Sequence, residues 1–95
     1  MSIAETLDAA QTSRTAVTSL PELDGLDVPS AYTVQADAFE RRLKRGELAS
    51  GLKLGFTSKA KMIQMGVDDV IWGRLTSGMQ VDDGGTLDLS RFIHP

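Results

Sequence analysis

A lysine, a glycine and a threonine alternate with apolar residues between Lys53 and Thr57. Residues two apart in a strand point to the same face, so Lys53, Gly55 and Thr57 are expected to share one. Glycine leaves open volume beside the ammonium group, and an ammonium in that setting can hold a carboxylate or act as an acid. The pattern alone leaves a second interpretation open, in which Lys53 is an ordinary lysine facing solvent.

Other reactive side chains are few. His94 is the only histidine and lies one residue from the end of the sequence, so we interpret it as a structural residue at a strand end rather than as a catalytic base. The pairs Asp68-Asp69 and Asp82-Asp83 are adjacent residues, which point to opposite faces of a strand. A calcium or magnesium site needs several converging oxygens, so Asp82-Asp83-Gly84-Gly85 is read as a turn.

Four cations crowd the end of a helical pattern: Arg41, Arg42, Lys44 and Arg45. Cations in a last helical turn complement the helix dipole, and we expect these side chains to be solvated. Contact with a phosphate group is the alternative. No glycine-rich phosphate loop precedes a helix in this sequence.

Two helices are predicted before Gly46. Ser2 and Glu5 have the spacing of a capping box, and the apolar residues that follow predict a helix over about 3 to 19, ended by Pro21. Ser30 is expected to cap a second helix over about 31 to 45, which Gly46 terminates. The buried stripe of this second helix should contain Tyr32, Ala36, Phe39 and Leu43.

From Gly51 the apolar residues alternate, which predicts a strand in GLKLGFT. Thr57 or Ser58 should then cap a short helix through Met65, and VIWGRL, MQV and TLDL are expected to be strands, followed by a bare strand edge at FIHP. Helices followed by strands indicate an α+β fold. We divide it into a helical segment over 1–50 and the start of a β-rich catalytic fold over 51–95.

The composition is that of an ordinary globular protein, with 41% hydrophobic and 24% charged residues in a 95-residue chain. The net charge of −3 argues against nucleic acid or an anionic membrane as a partner. Cysteine is absent, which excludes disulfides and thiolate metal sites. The polar, acidic beginning of the sequence is unlike a signal peptide, so a cytoplasmic protein is expected.

Several motifs in order resemble the 2-keto-4-pentenoate hydratase and 4-oxalocrotonate decarboxylase family of the fumarylacetoacetate hydrolase superfamily. The motifs are Ala31-Tyr32, Gln35, Arg41-Arg42-Leu43, Gly46-Glu47, Lys53, Gly55, Thr57-Ser58, Met65-Gly66-Val67, Gly73, Leu75-Thr76, Gly84-Gly85 and Ile93-His94-Pro95. They run from about residue 28 to the end of the chain. The resemblance implies the N-terminal part of the family's mixed β fold.

In that family a segment like FIHP leads into a glutamate-x-glutamate motif, which with a later acidic residue holds Mg²⁺ or Mn²⁺. None of these carboxylates is present here, so the resemblance implies a chain cut before its metal site, which binds no metal and has no activity alone. The metal would stabilise a dienolate formed from a small 2-oxo acid. By resemblance Lys53 is the catalytic candidate, and Phe56, Thr57 and Ser58 are candidates for substrate binding.

The position of Ile71 favours the decarboxylase over the hydratase, because many hydratases have Gly-Val-Asp-x-Pro-Asp-Phe-Gly where this sequence has Gly66 to Gly73. Val70 replaces the usual proline of both branches. The hydratase remains the alternative activity, and a non-catalytic interaction module derived from the fold is a third hypothesis. By resemblance the parent is a homo-oligomer in which decarboxylase and hydratase can associate.

Overall fold

A computed structural model describes all residues from 1 to 95. It contains three α-helices and one two-stranded antiparallel sheet, which confirms the α+β class. The elements are α1 (Ile3–Ser13), α2 (Val28–Lys44), β1 (Ala49–Gly55), α3 (Lys59–Met65) and β2 (Ile71–Thr76). Single 3₁₀ turns occupy Pro21–Leu23, Ser77–Met79 and Leu89–Arg91. The proposed division at residue 50 stays a prediction.

Helix α1 begins as expected but ends early. The Ser2 hydroxyl accepts a hydrogen bond from the amide of Glu5 at 3.1 Å, which confirms the cap. The helix ends at Ser13 because Arg14 adopts a left-handed conformation with φ of 57°. The predicted extension to residue 19 is therefore wrong. The β-branched residues Thr15, Val17 and Thr18 disfavour helix, and Pro21 lies too far away to be the signal that stops it.

Helix α2 begins three residues before the predicted position. Asp27, and not Ser30, is the N-cap, and its carboxylate accepts a hydrogen bond from the Ser30 amide at 2.8 Å. Hydrogen bonding by Ser30, through its side chain first and its backbone amide second, lowers the pKa of Asp27. Pro29 lies in the first turn, where its missing N–H costs nothing. The four residues of the predicted stripe of α2 are all half-buried, and none is fully buried.

The sheet pairs β1 with β2 in antiparallel register. Lys53 lies opposite Gly73, and Gly55 lies opposite Ile71. Helix α3 connects the two strands, and its cap is Ser58, whose hydroxyl accepts from the Lys61 amide at 3.1 Å. The predicted helix and its cap are both confirmed.

The strands predicted after residue 77 do not form. Residues 79–81 and 86–89 pair with no strand, and His94 lies exposed outside any strand, so the MQV, TLDL and FIHP predictions are wrong. A strand needs a partner for its backbone groups, and neither β1 nor β2 pairs with these segments. The turn at Asp82–Gly85 is confirmed, because the Gly85 amide donates to the Asp82 carbonyl at 2.8 Å.

Ion pairs join α1 to α2. Arg45 donates to both carboxylate oxygens of Asp8, at 2.7 and 2.9 Å, and Arg41 lies 3.2 Å from Glu5. The hydrogen bonds from Arg45 lower the pKa of Asp8. The expectation that the basic cluster of α2 is solvated is therefore wrong for Arg41 and Arg42, which are half-buried, while Arg45 is exposed but ion-paired. Lys44 alone among the four cations remains exposed without an ion pair.

The core is small. Only Ala4, Ala10 and Thr76 are buried, while Leu52 and Leu54 of β1 are 66% and 62% exposed. Exposed apolar surface on this scale is typical of surfaces that contact other protein. None of the helices combines the length and the apolar character that crossing a membrane requires.

Candidate functional site

Lys53 lies in the middle of β1, on the sheet face that it shares with Gly73 of β2. Its aliphatic stem lies over Gly73, where an added methyl group would be 3.5 Å from the lysine Cγ. Its ammonium nitrogen lies 4.0 Å from the position that a methyl group would take on Gly55. The side chain therefore lies along the sheet, and the two glycines provide the surface beneath it.

Gly55 also permits a close approach between the strands. A methyl group added there would come within 3.0 Å of Ile71 Cγ1, which is closer than packed carbon atoms normally lie. The space above Gly55 that the sequence predicted is therefore open on the side of the Lys53 ammonium, whereas Ile71 fills it on the side of β2. Lys53 itself is exposed and forms neither an ion pair nor a side-chain hydrogen bond.

The chain turns sharply after Gly55. Phe56 has a φ of 54°, a left-handed conformation that costs a bulky residue about 1 to 3 kcal/mol. Because β1 ends at Gly55, Thr57 lies beyond the strand and does not continue the face of Lys53, contrary to the alternation argument. Phe56 is half-buried and Thr57 is exposed. Strained backbone next to a candidate catalytic residue is a feature that functional sites often have.

Side chains of α2 cover the outer edge of β2. The Gln35 amide donates to the Trp72 carbonyl at 3.1 Å and accepts from the Arg74 amide at 3.2 Å. These are the two bonds that a peptide group of a neighbouring strand would make, because a carboxamide carries both a donor and an acceptor. The Tyr32 hydroxyl accepts from the Trp72 amide at 3.0 Å, and the two rings stack with centroids 4.9 Å apart. Helix α2 thereby fixes the strand that lies opposite Lys53.

A polar network joins the end of α2 to the end of β2. Arg42 donates to both carboxylate oxygens of Glu47, at 3.1 to 3.2 Å, and the Thr76 hydroxyl donates to the same carboxylate at 2.7 Å. The bonds from Arg42, followed by the bond from Thr76, lower the pKa of Glu47 below its ordinary value. Gly78 leaves room for this carboxylate, since a side chain there would overlap a carboxylate oxygen unless Glu47 moved.

Oxygen and nitrogen ligands for a metal do not converge among residues 1–95. No group of three or more histidine, aspartate or glutamate side chains lies close together. Asp68-Asp69 and Asp82-Asp83 are exposed, as is His94. We therefore assign no metal-binding role to these residues.

Comparison with known proteins relates the chain to a group of lyases. It is 48% identical over 93 residues to a 4-oxalocrotonate decarboxylase of a Pseudomonas species, matching 98% of this chain and 36% of that protein. Its structure superposes on the 4-oxalocrotonate decarboxylase of Pseudomonas putida G7, complexed with calcium and acetate, with a TM-score of 0.89 and 36% identity over 95% of this chain. The chain is a homologue of these decarboxylases.

The same homology extends to hydratases. A 2-keto-4-pentenoate hydratase of Burkholderia vietnamiensis is 35% identical over 95 residues, which is 99% of this chain and 36% of the hydratase. The chain therefore spans about a third of the length of the lyases that it matches. No protein-family model matches it.

The sequence patterns did not indicate the roles of Gln35 and Glu47, which came into view only as parts of the family resemblance. Both have partners in β2 that lie 29 to 39 positions away along the chain, although Glu47 also binds Arg42, which is five positions away. The sequence gives one indirect indication for Gln35: a polar side chain next to the apolar stripe of α2 needs a hydrogen-bond partner if it is to be buried. That rule indicates that a partner exists without identifying it.

Proposed function

We propose that residues 1–95 form part of a lyase of aromatic meta-cleavage catabolism whose reaction is the decarboxylation of 4-oxalocrotonate, 2-oxohex-3-enedioate. The observation that supports this best is the 48% identity to a 4-oxalocrotonate decarboxylase over nearly the whole chain. The identity to the hydratase is lower, at 35%. Hydration of 2-hydroxypenta-2,4-dienoate is the second candidate, because the match to the hydratase also extends over nearly the whole chain.

In this proposal Lys53 binds or protonates the substrate. Its ammonium is exposed and unpaired, and the glycine surface beneath it admits a ligand close to the sheet. A carboxylate of a dicarboxylic substrate is the group that such an ammonium would hold. Phe56 would form an apolar wall and Thr57 would offer a free hydroxyl. Ser58 is the weakest candidate, because its hydroxyl already caps α3.

The parent enzyme is proposed to use Mg²⁺ or Mn²⁺. The ligands would come from outside residues 1–95, since the residues present do not assemble a site. We also propose that the parent belongs to the fumarylacetoacetate hydrolase superfamily, acts in the cytoplasm as a homo-oligomer and associates with a partner lyase of its pathway. The extensive apolar surface of β1 is consistent with burial against further protein.

The proposal is tested on the polypeptide encoded by the reading frame that contains this sequence. With Mg²⁺ or Mn²⁺ present, 2-oxohex-3-enedioate should be consumed with release of CO₂, and Lys53→Met should lower kcat/KM by at least about 100-fold. Lys59→Met removes an exposed lysine at the start of α3 and is the matched control. Residues 1–95 alone should be inactive with either metal.

The possible results separate the hypotheses. Hydration of 2-hydroxypenta-2,4-dienoate without CO₂ release from the dioate would establish the hydratase instead. Absence of both reactions in a folded, metal-loaded polypeptide would refute the lyase and favour an interaction module. Equal activity of Lys53→Met and Lys59→Met would remove Lys53 from the mechanism while leaving the lyase proposal intact.

A further inference from the structure

Four arginines line a cleft of about 390 Å³ that has no part in the Lys53 site. Its walls are the end of α1, the end of α2 and the segment between Gly78 and Phe92. The arginines are Arg14, Arg42, Arg45 and Arg91. The concentration of positive charge is notable because the chain as a whole carries a net charge of −3.

Two of these cations are neutralised within the protein. Arg42 is held by Glu47, the only carboxylate among the lining residues, and Arg45 is held by Asp8. Each pair is bidentate, which fixes the guanidinium plane. These two arginines therefore contribute shape to the cleft and little uncompensated charge.

The other two cations have no carboxylate partner. Arg14 forms no ion pair and no side-chain hydrogen bond, and Arg91 donates only to the Gly78 carbonyl, at 2.7 Å. Asp88 lies near enough for Arg14 and Arg91 to assist in lowering its pKa, after the larger effect of its bonds to Ser90. No oxygen of Asp88 comes within 4 Å of either guanidinium, since neither arginine forms a salt bridge.

The rest of the lining is apolar and comes from one segment of chain. It consists of Met79, Val81, Leu87 and Phe92. A cleft that combines unpaired guanidinium groups with apolar side chains suits a ligand that has an anionic head and a hydrocarbon body. Inorganic phosphate or sulfate would satisfy the cations but leave the apolar wall in water.

We propose that this cleft binds a small organic carboxylate through Arg14 and Arg91, with the hydrocarbon part of the ligand against the wall formed by Met79, Val81, Leu87 and Phe92. The site shares no lining residue with the Lys53 face and does not depend on the lyase activity proposed above. The carboxylate of the ligand would supply the negative charge that neither cation has from the protein.

Titration of the polypeptide encoded by the reading frame that contains this sequence with sodium hexanoate, followed by NMR, tests the proposal. Methyl resonances of Met79, Val81 and Leu87 should shift and saturate, with a dissociation constant on the order of 1 mM. Arg14→Gln and Arg91→Gln should each weaken binding by about tenfold, since each removes a charge-assisted hydrogen bond. The control is Lys44→Gln, which removes an exposed cation of α2 outside the cleft. It should change the affinity for hexanoate less than twofold, because salt screens a charge at that position.

A second test uses Asp88→Asn, a variant that is expected to bind hexanoate more tightly. Asparagine preserves the cap on the amide of Ser90 and removes the negative charge that opposes an anion, so hexanoate should bind a few-fold more tightly. Neutral 1-hexanol and inorganic sulfate should each bind more weakly than hexanoate. The proposal is overturned if hexanoate produces no saturable shift, if Lys44→Gln weakens binding as much as Arg91→Gln, or if sulfate binds as well as hexanoate.

Discussion

The junction between α2 and β2 and the Lys53 face of the sheet have opposite characters. At the junction, Gln35 is hydrogen-bonded to the backbone of β2, and Glu47 is hydrogen-bonded to Arg42 and Thr76, at distances of 2.7 to 3.2 Å. On the Lys53 face the lysine has no partner, and two glycines leave the backbone accessible. The strand β2 takes part in both regions, since its outer edge binds α2 and its inner edge pairs with β1.

The difference indicates that the junction positions the strands, whereas the Lys53 face is available to bind a ligand. The Gln35 carboxamide and the Glu47 carboxylate are already hydrogen-bonded, so they stabilise the fold and have little capacity left for a ligand. One atom of the network, Nη1 of Arg42, is buried without a partner. The Lys53 ammonium has all three of its donors available. Substitutions at the junction should therefore change stability, whereas substitutions on the Lys53 face should change ligand binding or activity and leave stability nearly the same.

The largest loss of stability is expected from Glu47→Ala. The change leaves Arg42, whose side chain is only 15% exposed, without its carboxylate, and it also removes the acceptor of the buried Thr76 hydroxyl. We expect the free energy of unfolding to fall by about 3 kcal/mol, measured by urea denaturation. Glu40→Ala, at an exposed position of α2, is the control and should cost less than about 0.5 kcal/mol. Equal losses for the two variants would contradict the role of the network.

A smaller loss is expected from Gln35→Ala. The carbonyl of Trp72 and the amide of Arg74 lose their partner, at a cost of about 2 kcal/mol in the free energy of unfolding. Hydrogen exchange gives a more specific readout, because the amide of Arg74 should exchange faster while amides within α1 should not change. Unaltered protection of Arg74 would show that α2 does not cover this edge in solution.

The free energy of unfolding should also decrease as the pH falls into the acidic range. The pKa values of Glu47 and Asp8 are lowered in the folded protein, by Arg42 and Arg45 respectively, so the unfolded chain takes up protons first as the pH falls. Their contribution is fully present above about pH 5 and is lost as the pH falls toward and below 4. Thermal melts across this range should show the decline, and Glu47→Gln should make it shallower. A melting temperature that is constant down to pH 3 would contradict this assignment.

The smallest effect on stability is expected from Lys53→Met. The side chain is exposed and unpaired, and its stem keeps the same contact with Gly73 after the change. The free energy of unfolding should change by less than about 0.5 kcal/mol. A loss as large as that of Gln35→Ala would mean that Lys53 stabilises the fold, and the two regions would no longer be distinct in kind.

Local signals in the sequence predicted those parts of the fold that depend on neighbouring residues. Ser2 and Ser58 cap the helices that they were expected to cap, and Gly66 ends α3 in the left-handed conformation that glycine permits. Some failures arose where a distant partner decides the outcome, whereas the end of α1 and the N-cap of α2 were misjudged among competing local signals. The segments MQV and TLDL have strand-like patterns, but the described chain provides no strand beside them.

The candidate site was predictable to a similar degree. Alternation correctly placed Lys53 and Gly55 on one face, since both lie within β1. It failed for Thr57 because the left-handed conformation of Phe56 interrupts the strand, and no propensity scale favours that conformation for a phenylalanine. The catalytic and binding roles of Lys53, Phe56, Thr57 and Ser58 stay predictions.

The carboxamide of Gln35 has a consequence for the order of folding. Because one side chain of α2 substitutes for a neighbouring strand at positions 72 and 74, the ribbon of β1 and β2 gains its outer hydrogen bonds only when a helix nearly 40 residues away is in place. A two-stranded ribbon is marginally stable by itself. The docking of α2 and the closure of the ribbon should therefore occur in one kinetic step, with similar φ-values for mutations at Gln35 and at the strand residues that it contacts.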